Sequence, residues 1–272
     1  MPDSGATRGI VLLARAGYAA KGVVYLVIGA LAARVAAGAG GETTDQHGAL
    51  DAIRQGPFGI IALAVIGVGL LGYMAWRLVA AATDAEADGS DPTSLGKRAL
   101  HAGRGVAYGL LGVSALRAIG DRGSDGGGNA QQTRDWTARL LDLPYGRALV
   151  VAAGLGVMGY AGYQLYRAGT DKVKKHLELA DAGPARAEWI VRLGRFGIAA
   201  RAVVFALIGA LLVKAGLHRD SSEAGGIAQS LDAVASAPYG RVALGVVALG
   251  LVAYGVYQLA TARYRRIRAI AR

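Results

Sequence analysis

Six basic residues recur in this sequence at one spacing. Lys21 and Arg34, Arg104 and Arg117, and Arg201 and Lys214 each enclose 12 uncharged residues. At 1.5 Å of helical rise per residue, the two members of a pair lie about 20 Å apart along the axis. On neighbouring helices such cations could form two rings, an inner one of Lys21, Arg104 and Arg201 and an outer one of Arg34, Arg117 and Lys214. Either ring suits an anion or a lipid headgroup. Successive residues turn by about 100°, so the members of a pair are displaced by about 220° and at most one ring faces inward. The competing reading is snorkelling, in which the long side chains reach outward to headgroups from each end of an apolar segment.

A second group repeats with the same regularity. Tyr73, Tyr160 and Tyr254 are followed by Trp76, Tyr163 and Tyr257, and then by Arg77, Gln164 and Gln258. Residues four apart share a helical face. Tyr73, Tyr160, Tyr254, Gln164 and Gln258 could therefore line a polar vestibule. The competing reading is an interfacial aromatic belt that also takes in Tyr166 and Tyr264.

Other chemistry is thin. The apolar stretches contain no Asp or Glu, which argues against a carboxylate proton relay or a carboxylate-bridged dimetal site among them. The chain has no Cys, so thiolate catalysis, iron–sulfur clusters and thiolate zinc sites are excluded. His47, His101, His176 and His218 have no counterparts in the other copies of the repeat described below, and a bis-His haem needs two residues facing each other at similar depth. Ser114 is the only Ser within an apolar stretch, and no Ser-His-Asp order or nucleophile elbow accompanies it. No Gly-Lys-Ser/Thr follows the glycines. The expectation is a protein that is not an enzyme and carries no metal or cofactor.

The elements that must position these residues follow from the charges. A helix needs about 20 apolar residues to cross a hydrocarbon core about 30 Å thick. Uncharged stretches of 22 residues lie between Arg54 and Arg77, of 19 between Arg147 and Arg167, and of 21 between Arg241 and Arg263. The three 12-residue stretches span only if their helices run past the flanking cations. Of 272 residues, 53% are hydrophobic, 18% charged and 42 are Gly, and mean hydropathy is +0.36. That balance excludes a disordered chain, a collagen and a disulfide scaffold, and leaves an integral membrane protein.

Long and short stretches alternate because the chain repeats. Arg15, Arg98 and Arg195 align with no gap through Lys21, Arg104 and Arg201, then Tyr25, Tyr108 and Phe205, then Gly29, Gly112 and Gly209. Pro57, Pro144 and Pro238 open the second helix of each unit, where a missing N–H costs nothing. Gly22, Gly29, Gly105 and Gly112 recur on the first helices, and Gly67, Gly69, Gly72, Gly154, Gly156 and Gly159 on the second. Small residues of this kind bring helix backbones together in lipid. The expected fold is an all-α membrane protein of six transmembrane helices in three two-helix repeats, 10–84, 95–170 and 190–265, forming a pseudo-threefold bundle.

The entry Lys21-Gly22-Val23-Val24-Tyr25, the opening Leu231-Asp232-Ala233 with Pro238-Tyr239-Gly240-Arg241, and the ending Ala253-Tyr254-Gly255-Val256-Tyr257 resemble a family of bacterial membrane proteins known only as domain of unknown function 1206. The resemblance runs from about Arg15 to Tyr264. The middle copy departs most, with His101 where the first has Tyr18 and Ala138 where the others have Asp51 and Asp232. The family implies three tandem two-helix units in a membrane and supplies no activity or ligand. Mitochondrial carriers also use three two-helix repeats, but their Pro-acid-base signature on odd helices is absent.

Lys and Arg number 18 on one set of loops and 7 on the other, which predicts a multi-pass protein of the cytoplasmic membrane with both termini in the cytoplasm. With Asp3 and Arg15 interrupting the leader, no cleaved signal peptide is expected. Each outer loop passes from a Gly-rich stretch into a short amphipathic segment, such as Leu50-Asp51-Ala52-Ile53, read as an interfacial helix. The net charge of +11 collects beside the membrane, at Lys172, Lys174 and Lys175 and at Arg263, Arg265, Arg266, Arg268 and Arg272, which predicts anionic lipid headgroups rather than nucleic acid as partners. Two functions are compatible: a scaffold binding lipid or a membrane-protein partner, and a channel or transporter for a small anion or polar solute.

Overall fold

Uncharged runs rich in Ala, Val, Leu and Gly satisfy their backbones internally, and here they do so as helices. The computed structural model describes residues 4–83, 92–120, 129–170 and 183–264, with no strand among them. Lys172, Lys174, Lys175, His176, Arg265, Arg266, Arg268 and Arg272 lie outside the described residues. Among the described residues six helices are long: α1 (Ser4–Ala36), α3 (Gly59–Thr83), α4 (Pro92–Gly120), α6 (Gly146–Gly169), α7 (Pro184–His218) and α9 (Gly240–Tyr264). Three are short: α2 (Gln46–Arg54), α5 (Asn129–Leu141) and α8 (Ile227–Ala235). The short ones each precede α3, α6 or α9 and share one end of the bundle, the capped end.

The odd helices of the repeat do run past their cations. Segments Val11–Ala36, Gly59–Ala82, Gly146–Gly169, Pro184–His218 and Gly240–Tyr264 are long and apolar enough to cross a membrane. These are five spans where the charge pattern predicts six. The 29-residue α4 is not among them, because between its cations Gly105, Gly109, Gly112 and Ser114 dilute an apolar run that is richer in Val, Leu and Ala in α1 and α7.

Another expectation is corrected at the starts of α3, α6 and α9. Each helix begins at a Gly two residues after the Pro, so the Pro belongs to a preceding turn and not to the first helical turn. The residue between them, Phe58, Tyr145 or Tyr239, takes a left-handed φ of 65°, 63° or 60° and is exposed. The turn folds the chain back so sharply that a Cβ at Gly59 would lie 2.1 Å from the Arg54 carbonyl oxygen, and one at Gly240 would lie 2.0 Å from that of Ala235. Only Gly fits there.

The long helices pack as an incomplete ring in the order α4, α3, α1, α9, α7, α6. Successive repeats join through closely approaching backbones: a Cβ at Gly112 would lie 2.9 Å from the Gly67 carbonyl oxygen, and one at Gly154 would lie 2.8 Å from that of Gly209. Within repeats one and three, Gly17 and Gly197 let α1 meet α3 and α7 meet α9, since added Cβ atoms would come within 2.4 Å of Tyr73 and Tyr254. The equivalent position of the middle repeat is Leu100. In that repeat α4 and α6 form no extensive contact. Gly156, whose counterparts Gly69 and Gly250 touch the first helix of their repeat, has nothing within 4 Å, and neither has Gly103 on the facing helix. The ring opens there into a lateral cleft of about 1080 Å³. The core within the ring includes Tyr25, Ile28, Leu63, Leu70, Leu111 and Leu251.

Candidate functional site

Towards the uncapped end, all six long helices send polar side chains into one chamber of about 60 Å³. That is room for a few waters or one small polar group. α1 contributes Lys21, α3 Tyr73 and Arg77, α4 Arg104, α6 Tyr160, Gln164 and Arg167, α7 Arg201, and α9 Tyr254 and Gln258. The two residue groups singled out by their spacing, the inner cations and the Tyr/Gln set, therefore meet in a single place. The members of the other ring do not take part. Arg34, Arg117 and Lys214 are exposed, and the Lys214 Nζ lies 3.0 Å from Glu223 Oε1.

The chamber cations are buried because the helices continue beyond them. Fifteen residues separate Lys21 from the end of α1 at Ala36, about 22 Å of rise, which is shorter than a hydrocarbon core. Lys21, Arg77 and Arg201 are 6%, 6% and 7% exposed, and Arg104 is half-buried. Aromatic faces surround them. Lys21 Nζ stands 4.5 Å from the Tyr108 ring centre, 5.6 Å from that of Tyr254 and 5.7 Å from that of Tyr73. Arg201 lies 4.5 Å from Phe205 and 5.1 Å from Tyr254, and Arg104 lies 4.8 Å from Tyr160. At these distances the negative ring faces stabilise a desolvated cation by about 1–2 kcal/mol each.

Hydroxyls complete the cage. Arg201 Nε donates to the Tyr25 hydroxyl at 3.0 Å, and that oxygen is 3.4 Å from the Tyr108 hydroxyl. Arg77 Nε donates to the Tyr73 hydroxyl at 2.9 Å and its Nη2 to that of Tyr18 at 3.3 Å. Gln164 is 4% exposed, and its Oε1 is buried with no hydrogen-bond partner among the described residues. A buried amide left in this state normally finds a ligand or water.

Three matched segments of sequence build this arrangement. The family model of a domain of unknown function, DUF1206, matches residues 16–84, 99–171 and 196–265. The chain belongs to the DUF1206 family. An uncharacterized protein, YxxB, of Bacillus subtilis (strain 168) is 32% identical to it over 250 residues, covering 92% of this chain and 89% of that one. No solved structure matches it. Each DUF1206 segment supplies one inner cation, one Tyr of the second helix and one polar residue a turn later. The family resemblance carried by the sequence motifs and the internal repeat are thus both seen directly.

Spacing alone passed over Arg77 and Arg167 as site residues, and also Tyr25, Tyr108 and Phe205. The last three were signalled: each stands four residues after its cation, on the same helical face. Nor do the repeated aromatics form one class. Tyr73, Trp76, Tyr254 and Tyr257 are buried, whereas Tyr163 and Tyr166 are exposed. Chemically, the chamber concentrates five cationic side chains with phenol and amide groups, and no acidic side chain occurs among the described residues that line it. Among the described residues, no group of three or more His, Asp or Glu could hold a metal ion.

Proposed function

We propose that this is a non-enzymatic protein of the bacterial cytoplasmic membrane whose chamber holds the anionic, phosphate-bearing headgroup of a membrane lipid. In this reading α4 is the sixth span, the six helices form a pseudo-threefold bundle broken only in the middle repeat, and both termini lie in the cytoplasm. The observation that carries it is the convergence of Lys21, Arg77, Arg104, Arg167 and Arg201 on one small chamber lined by no described acid. Ionisable groups within a membrane are costly and mark a ligand by default. Guanidinium groups are matched to phosphate oxygens in shape as well as charge.

Binding is favoured over conduction by what lies around the chamber. On its capped side the centre is packed with Tyr25, Ile28, Leu63, Leu70 and Leu111, and the outer cations Arg34 and Lys214 are exposed and away from it. The test is native mass spectrometry of the purified protein in mixed phosphatidylglycerol and phosphatidylcholine. The wild type is expected to retain the anionic lipid preferentially. Arg104→Gln should weaken that retention tenfold or more, since one hydrogen bond to a charged group is worth about 1.5–3 kcal/mol. The exposed variant Arg34→Gln should not. Equal retention by wild type and Arg104→Gln would sink the proposal.

A further inference from the structure

A lateral cleft of about 1080 Å³ opens between α4 and α6, beside the chamber. It follows α4 from Gly96 to Arg117, about 31 Å of helix, which matches the thickness of a hydrocarbon core. Its walls between these ends are mostly apolar, with Ala107, Leu110, Val113 and Val157 among them, and Arg104, Tyr160 and Arg201 line both the cleft and the chamber. An apolar trough therefore runs about 20 Å along α4 from Arg117 to the basic cage at Arg104, and continues past it to Gly96. At about 1080 Å³ it lies at the top of the range for small-molecule pockets. The charge at the cage end selects among apolar occupants: it complements an anionic amphiphile and repels a cationic one.

We infer that the cleft is the berth of the acyl chains of a phospholipid, which enters sideways from the bilayer through the middle repeat and places its phosphate between Arg104 and Arg201. This inference rests on the headgroup reading of the chamber and adds to it the source of the anion: a diacyl lipid rather than a free phosphate ester. The opening coincides with a local sequence difference. Repeats one and three close at Gly17 and Gly197, and the middle repeat has Leu100 there.

The experiment compares phosphatidylglycerol with glycerophosphate, which carries the phosphate without the chains, on the full-length protein. In the wild type the lipid is expected to bind at least tenfold more tightly than glycerophosphate. Equal affinities would overturn the inference, because the cleft would then contribute nothing. Ala107→Trp with Gly156→Trp fills the trough, and Gly156 has nothing within 4 Å to clash with the new side chain. In that variant lipid affinity is expected to fall to the glycerophosphate level while glycerophosphate binds as before. Unchanged lipid affinity, or loss of both ligands together, would overturn it. Gly103→Leu with Gly156→Leu provides a milder filling if the Trp pair does not fold, with the same two readouts. Arg104→Gln reports on the chamber separately: if it leaves lipid binding intact while the filled variant abolishes it, the chamber reading has failed and the cleft has not.

Discussion

Arg201 shows how a guanidinium survives inside an apolar bundle. Its Nε donates to Tyr25, and the Phe205 and Tyr254 faces cover the rest. Tyr25→Phe would leave a buried charged donor without its acceptor, and a loss of about 1–3 kcal/mol in stability is expected from thermal denaturation in detergent. At the capped end, hydrogen bonds from His218 first and Lys214 next hold Glu223 below the usual carboxylate range. A carboxylate whose folded pKa is depressed stabilises the fold above its unfolded pKa, about 4.3, and loses that contribution as pH falls through the folded value. Wild type and Glu223→Gln should therefore differ slightly in melting temperature at pH 7, and the difference should shrink as pH falls below the usual carboxylate range. At this scale the sequence disclosed the Lys21, Arg104 and Arg201 set and the Tyr/Gln set by spacing. It did not disclose that they face each other, because that depends on the rotation of six helices about their own axes, fixed by contacts between repeats.

Helix pairing turns on single glycines, and their repeat-equivalent positions are not equivalent in consequence. Gly17→Ala and Gly197→Ala push a Cβ to within 2.4 Å of the facing helix. Each should cost about 1–3 kcal/mol, the usual penalty for overpacking. Gly156→Ala meets nothing within 4 Å, and is expected to be neutral or to stabilise by up to about 1 kcal/mol through helix propensity. Thermal melts of the three variants check the difference in sign; a Gly156→Ala as damaging as the other two would show that α4 and α6 touch in the membrane. The helices themselves were legible from charge spacing. The Pro-aromatic-Gly turns were misplaced by two residues, since the left-handed φ of Phe58, Tyr145 and Tyr239 has no signal in those residue types. The missing glycine at the Gly17 position of the middle repeat is present in the repeat register but acquires meaning only when Gly17 is seen against Tyr73.

At the scale of the whole molecule, the sequence disclosed the class, the three repeats and the short helices at one end, because hydrophobic run length and repeat register are properties of the chain alone. Orientation in the membrane has a clean test, since the protein has no Cys of its own. Ser222 at the capped end and Ala185 at the start of α7 are both exposed. With a membrane-impermeant maleimide on intact cells, Ser222→Cys should be labelled and Ala185→Cys only after lysis; the opposite pattern would reverse the proposed topology. Covalent linkage of the three repeats also has a consequence for how such a molecule diverges. A trimer of identical two-helix subunits would gain every substitution three times, so a leucine at the Gly17 position would open all of its internal seams or none. Three copies on one chain can drift apart, and here the middle copy alone leaves its two helices parted while the other two stay closed.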